Sequence, residues 1–334
     1  MSQIDLPRID IIIPAYKAQD TILRTLCSIQ EQEIVDDCDI TIINDGDEND
    51  YKKFIDMFSP YMSIREIKLE KNGGPGVARQ KGLDETKNPL ITFIDADDTF
   101  SGRFALKVLR EQLLSELYNS CCFGSFLEDQ KVTYVNHPYD SVWMFGKLYK
   151  RDFINKYKIH FPPNSRANED NGFNMMCKLC SNQNEQIKYI QDIAYYWNYR
   201  EDSITRKDNA NYSYNGSFVG YAENMIYAIK HAEKQCPFNG NITQQKVHMI
   251  CNLYEYWLET GVRDNRYEEQ NWKWCLQFYK EIFKEIKDKI NDNALAECYN
   301  DVMRNCYAGN KMDGIIPKMG FKEFIAKLDE ESKS

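Results

Sequence analysis

The chain has 334 residues, of which 43% are hydrophobic, 28% charged and 13% aromatic; this excludes a disordered, fibrous or disulfide-stapled protein and, at this length, points to two domains. A net charge of −9 argues against a general nucleic-acid binder, which needs clustered Lys and Arg, and the 11 cysteines, odd in number and without framework spacing, fit free thiols in a reducing compartment. No apolar run approaches a membrane span and residues 1–5 lack the features of a signal peptide, so the expected location is the cytoplasm.

Residues 9–13 (IDIII) form a nearly continuous β-branched run ended by Pro14, as expected of a strand buried on both faces. A helix follows over residues 20–32, with Ile22, Leu23, Leu26 and Ile29 at helical spacing. The next strand, residues 40–43, stops at the turn sequence Asn44-Asp45-Gly46. A helix over 51–58 leads to a strand over 64–69; Asn72-Gly73-Gly74-Pro75-Gly76 opens a helix over 77–86, and a strand over 90–94 runs into Asp95-Ala96-Asp97-Asp98. This alternation predicts an α/β fold with a mostly parallel sheet, whose polar loops converge outside the carboxyl ends of the strands. Further strands are expected near 120–127, 132–135 and 142–149, with a helix starting at Glu169. From about residue 209 the pattern changes to long amphipathic helices; in one of them Cys275, Tyr279, Ile282, Ile286 and Ile290 share a face. The division is therefore residues 1–208 and 209–334, with the boundary at 207–212.

Carboxylates crowded at a strand end repel one another unless a cation neutralises them, so Asp95, Asp97 and Asp98 suit a hard ion such as Mn2+ or Mg2+ shared with a diphosphate. A solvated turn in which Asp98 caps the next helix explains the same residues equally well. The stretch from Asn72 to Arg79 (NGGPGVAR) fits neither a Walker loop nor a dinucleotide fingerprint. A glycine-rich helix N-terminus still suits an anionic ligand, with Arg79 one turn inside, and a plain Gly-Pro turn accounts for it as readily.

Taken together, Pro14-Ala15-Tyr16, Asn44-Asp45-Gly46, Asn72 to Arg79 and Asp95-Ala96-Asp97-Asp98, in this order after four strands, resemble the nucleotide-binding half of the family-2 glycosyltransferases with a GT-A fold. Phe145-Gly146-Lys147-Leu148-Tyr149-Lys150-Arg151, Phe161-Pro162-Pro163 with Glu169-Asp170, and Tyr195-Tyr196-Trp197-Asn198-Tyr199-Arg200 with Ser203-Ile204-Thr205 extend the resemblance over residues 8–206. It implies an inverting enzyme that moves a sugar from a UDP-sugar to a hydroxyl acceptor. By this resemblance Pro14, Ala15 and Tyr16 line the base, and Asp45 accepts from uracil N3–H. Arg79 faces the uridine or its phosphates, Asp95 and Ala96 lie at the ribose, and Asp97 with Asp95 holds Mn2+ or Mg2+. Asp170 is the base that deprotonates the acceptor and Glu169 supports it, although an acidic pair at a helix start is also favoured by the macrodipole alone.

Two positions depart from the family pattern: Lys17 and Asp47 stand where Asn and Ser are usual, which bears on donor recognition near the base. Cys177 and Cys180, in a predicted helix without a second pair, read as core, and His137, His160, His231 and His248 lack metal-ligand spacing. Trp197 and its tyrosines would line the sugar pocket or pack. The favoured acceptor is a bacterial surface-glycan precursor; if it is lipid-linked, the helix over 272–290 could touch the inner face of the membrane. Competing readings are a phage enzyme glycosylating hydroxymethylated DNA and a sugar-nucleotide binding protein without catalysis.

Overall fold

The computed structural model describes residues 6–163, 165, 167–201, 203, 218–237, 239–263, 265–308 and 318–333. The chain divides into two compact units, residues 1–163 with 173–203 and residues 164–172 with 204–334. The boundary expected at 207–212 lies outside the described residues, as do Ile204 and Thr205. Residues 164–172, assigned by sequence to the first domain, group with the helical unit.

The first unit is built on β1 (Ile9–Ala15), β2 (Cys38–Asn44), β3 (Ser63–Lys68) and β4 (Leu90–Phe93), parallel in the order β3-β2-β1-β4, with Ile9 opposite both Cys38 and Leu90. The isoleucines of β1 are fully buried because helices cover both faces of the sheet, as the apolar run required. Three helices connect the strands: α1 (Ile22–Gln30), α2 (Lys52–Phe58) and α3 (Pro75–Glu85). α1 buries Ile22, Leu26 and Ile29, whereas Leu23, counted with them in the sequence, is 43% exposed because one residue along a helix turns it off that stripe. Gly82 lets α3 approach β1 closely: a Cβ there would lie 2.3 Å from Ile12 Cγ2.

Beyond β4 the sheet becomes mixed. β5 (Thr99–Phe100), α4 (Ala105–Leu114), β6 (Asn119–Asp129), β7 (Tyr134–His137), β8 (Lys147–Lys150) and α5 (Arg151–Lys156) follow in the chain. α6 (Glu169–Cys180) precedes β9 (Gln186–Trp197), and the strand order continues β4-β8-β6-β9-β5, with β7 paired to β6. The strand expected over 142–149 is confined to its end: Asp140 accepts the N–H groups of Val142 and Trp143 and the Lys147 ammonium, so the first residues form an Asx turn. Cys177 and Cys180 are fully buried, and every cysteine whose side chain is described is a free thiol.

The second unit contains α7 (Gly220–Gln235), α8 (Gly240–Arg263), α9 (Glu268–Phe278), α10 (Asp292–Ala308) and α11 (Phe321–Glu331). The single helix expected to carry Cys275 through Ile290 is instead interrupted by a π turn at Tyr279–Phe283. The extra residue in that turn brings Phe283 into the core beside Tyr279 and Ile282, and Ile290 falls outside the helix. Trp272 packs edge-on to Phe324 and donates to Glu331 (2.6 Å), so the face suggested for membrane contact is used in the unit's own core. Among the described residues no helix is long and apolar enough to cross a membrane.

Candidate functional site at the strand ends

The carboxyl ends of β1 and β2 are tied together by the two residues that depart from the family pattern. Lys17 has φ +52°, and its N–H donates to Asp47 Oδ2 (2.8 Å), which also accepts from Gln19 Nε2 (2.9 Å). Burial works against ionisation of Asp47, yet the hydrogen bonds from Gln19, Asn49 and Lys17 outweigh it and hold the carboxyl below the ordinary carboxylate range. A serine would offer one hydroxyl where Asp47 offers two charged oxygens, so the substitutions act as partners. Pro14 and Ala15 end β1; Tyr16, just beyond, is 46% exposed, with Lys17 Nζ 5.2 Å from its ring centroid.

Asp45 is buried, and its two carboxylate oxygens accept the N–H groups of Gly73 and Gly74, each at 2.8 Å. It thereby fastens β2 to the loop that opens α3, a contact the sequence did not reveal. Each oxygen keeps a second lone pair for another donor. Gly46 sits at φ +71°, and a Cβ there would lie 2.3 Å from the Lys71 carbonyl carbon, so only glycine allows this approach. One turn into α3, Arg79 reaches across to β4 and donates to Asp95 Oδ1 (2.6 Å) from a side chain that is 5% exposed.

The three aspartates after β4 have different environments. Asp98 is fully enclosed: Tyr195 Oη donates to its Oδ2 (2.7 Å) and the Asn198 N–H to its Oδ1 (2.8 Å), while Thr25 holds its carbonyl (2.8 Å). Asp98 is thus a fastener between β4 and β9 and caps no helix, which settles the turn reading for this residue. Burial first, then Asp97 and Asp95, push its carboxyl well above the ordinary range. Asp97 is about one-third exposed at the side chain and pairs with Arg200 Nη1 (3.1 Å), while Arg24 donates to its carbonyl (2.5 Å). Its carboxyl is also raised, by burial and then by Asp95, against the opposing pull of Arg200. The Asp95 N–H donates to Tyr195 Oη (3.1 Å), and Ala96 is buried.

Asp97 and Asp95 are hard oxygen donors under mutual repulsion at an accessible edge, a donor set that fits Mg2+ or Mn2+. Among the described residues no three His, Cys, Asp or Glu side chains form a metal cage, so these two would share an ion with ligands from substrate. Arg200 was not singled out as a site residue by sequence. Its stretch was recognisable, but its pairing with Asp97 depends on β5 lying against β9, where Thr99 faces Tyr196. Tyr195 stacks on Phe145 (4.7 Å) and Trp197 packs against Trp143 (5.2 Å), so these two aromatics belong to the packing.

In the helical unit, Glu169 and Asp170 occupy the first turn of α6. Asp170 is 8% exposed and its Oδ1 accepts the Asn171 N–H (2.8 Å). Asn168, immediately before them, has φ +59° and its carbonyl accepts the Gly172 N–H (3.2 Å), which begins the helix.

A parallel α/β half extended by a mixed sheet, with an acidic loop at its strand ends, defines the GT-A class of fold. Residues 10–167 match the sequence pattern of Glycosyl transferase family 2, and this segment is a family-2 glycosyltransferase domain. Among curated relatives, the putative glycosyltransferase EpsH of Bacillus subtilis (strain 168) is 20% identical over 61% of this chain and 64% of its own length. The poly(ribitol-phosphate) beta-N-acetylglucosaminyltransferase TarP of Staphylococcus aureus (strain N315) is 24% identical over 88% of this chain and 94% of its own length. The chain spans less than two thirds of EpsH and of two further relatives, between 37% and 64% of their length. The crystal structure of S. aureus TarS 1-349 in complex with UDP-GlcNAc superposes with a TM-score of 0.71 at 15% identity, covering 98% of this chain and 91% of that one. The mannosyltransferase PcManGT from Pyrobaculum calidifontis in complex with GDP-Man and Mn2+ gives 0.53 at 12% identity, covering 98% and 87%. At these identities the likeness is one of fold.

Proposed function

We propose that this protein is an inverting, metal-dependent glycosyltransferase that moves a sugar from a UDP-sugar to a hydroxyl of a bacterial cell-surface polymer. The observation that carries this reading is the acidic end of β4 in a family-2 domain, where Asp95 meets Arg79 and Asp97 meets Arg200. The TarS neighbour was crystallised with UDP-GlcNAc and the PcManGT neighbour with Mn2+, which supports a nucleotide-sugar donor and a divalent ion. Relatives named for poly(ribitol-phosphate) favour a polyol-phosphate polymer as acceptor over modified DNA. An enzyme acting on such a precursor would work in the cytoplasm, at the inner face of the membrane.

Tyr16 is proposed to pack on the uracil, and Asp45 to accept its N3–H with the lone pairs left by Gly73 and Gly74. Arg79 and Asp95 would bind ribose and phosphate as a pair. Asp97, with Asp95 beside it, would hold Mn2+ or Mg2+, which would supply positive charge to the departing diphosphate when bound. Asp170 takes the proton of the acceptor hydroxyl as its oxygen attacks the anomeric carbon from the face opposite UDP. The carbon–oxygen bond to UDP breaks and its electron pair leaves with the diphosphate. Incubation with several UDP-sugars, Mn2+, and either poly(ribitol-phosphate) or hydroxymethylated DNA tests the assignment; transfer to DNA alone would replace the acceptor, and UDP binding without transfer or hydrolysis would favour a binding protein.

Two binding results follow. Calorimetry should show UDP affinity raised at least ~10-fold by Mn2+, because protein carboxylates leave the ion's coordination incomplete until diphosphate arrives. Asp97→Ala should remove that increase, and affinity indifferent to EDTA would refute the metal. CDP should bind about 1–3 kcal/mol more weakly than UDP, since cytosine N3 offers Asp45 no proton; equal affinities would take Asp45 out of this role.

A further inference from the structure

The segment entering Glu169 and Asp170 is gripped by one buried side chain from the helical unit. Asn224 of α7 is 1% exposed; its Nδ2 donates to the carbonyls of Ala167 (2.7 Å) and Asn168 (2.8 Å), and its Oδ1 accepts from the Ser165 hydroxyl (3.1 Å). Both amide protons and the amide oxygen are therefore used, and all on residues 165–168. The other buried residues of α7 are apolar or small: Gly220, Ala222, Met225, Ile226, Ala228, Ile229 and Ala232. An asparagine on that face forfeits apolar burial and needs every hydrogen bond it makes. What it holds is Asn168, whose left-handed backbone must be maintained by its surroundings and whose carbonyl starts α6.

We infer that Asn224 is a positioning residue for Asp170: through Ala167 and Asn168 it sets where the first turn of α6 begins, so the helical unit takes part in sugar transfer. This rests on the proposal that Asp170 is the base. A carboxylate two residues from an anchored carbonyl inherits its position, and proton transfer is sensitive to displacements of about 1 Å.

Asn224→Asp tests this, because it keeps the volume while replacing the Nδ2 donor by an oxygen facing two carbonyls. UDP affinity should stay within about twofold, kcat should fall roughly 10–100-fold, and amide hydrogen exchange should quicken in residues 165–172. In an Asp170→Asn background the same change should cost less than about threefold, because the group being positioned is already disabled. Near-native kcat for Asn224→Asp, or an equal loss in both backgrounds, would overturn the inference. If Asn224→Asp fails to fold by circular dichroism, Ser165→Ala removes the hydroxyl that reaches both Asn224 Oδ1 (3.1 Å) and the Ala167 carbonyl (2.9 Å) and leaves the two amide bonds in place; about threefold lower kcat with unchanged UDP affinity supports the inference, and unchanged kcat overturns it. Near-native turnover of Asp170→Asn would instead sink the base assignment itself, a result separable from native turnover of Asn224→Asp alone.

Discussion

Asp170→Asn should lower sugar transfer by roughly 10²–10⁴-fold, the usual contribution of a positioned general base, with little change in UDP affinity. Asparagine keeps the shape of the side chain and its hydrogen bond to the Asn171 N–H. It cannot take a proton from the acceptor hydroxyl. The proposed donor contacts at Tyr16, Asp45, Arg79, Asp95 and Asp97 all lie in the other unit, so binding and turnover should separate. Glu169→Gln should be milder if that residue only supports the site. Turnover is best followed by UDP release at saturating acceptor, so that weak acceptor binding is not read as lost chemistry. Near-native turnover of Asp170→Asn, or greater damage from Glu169→Gln, would show that the wrong carboxylate has been named.

The largest stability loss is expected at Arg151, the last residue of a segment matched to the family on sequence. Its guanidinium donates to Asp10 Oδ2 (2.8 Å), Thr86 Oγ1 (2.8 Å) and the carbonyls of Asn88 (2.7 Å) and Leu83 (3.0 Å). These contacts join the start of β1 to the end of α3 and the chain entering β4. Burial lowers the pKa of Arg151 and Asp10 opposes that shift. Arg151→Ala leaves Asp10, whose side chain is 4% exposed, without this charge partner, and breaking such a pair costs about 3–5 kcal/mol. For a unit of this size that is a fall of roughly 6–20 °C in the melting temperature of the sheet-containing transition. Adding Asp10→Asn should recover part of the loss, since the buried charge is then gone. A melting temperature unchanged by Arg151→Ala would remove the pair from any stabilising role.

The extent to which the site was legible follows from the range over which each interaction acts. The β-branched run at residues 9–13, the turn Asn44-Asp45-Gly46 and the acidic cluster after β4 are short-range statements, and strand direction and the hydrophobic effect carry them into the parallel sheet with loops at one edge. Where the structure departs from the sequence pattern, a local hydrogen bond overrides it: Asp140 turns an expected strand into an Asx turn, and the π turn at Tyr279–Phe283 shifts the register of a helix whose apolar spacing is continuous in sequence.

By itself, then, the amino-acid order determined the α/β alternation, the family resemblance, and the residue types proposed for nucleotide and metal chemistry. Only the tertiary structure decided what each of these residues is bonded to. Arg200 lies 103 residues from Asp97, and Asn224 lies 56 and 57 residues from the two carbonyls it holds. Asp45 is committed to Gly73 and Gly74, and Lys17 and Asp47, unrelated in sequence, become donor and acceptor. Hydrogen bonds act over about 3 Å, and which distant residues come that close is set by strand pairing and helix packing, not by spacing along the chain.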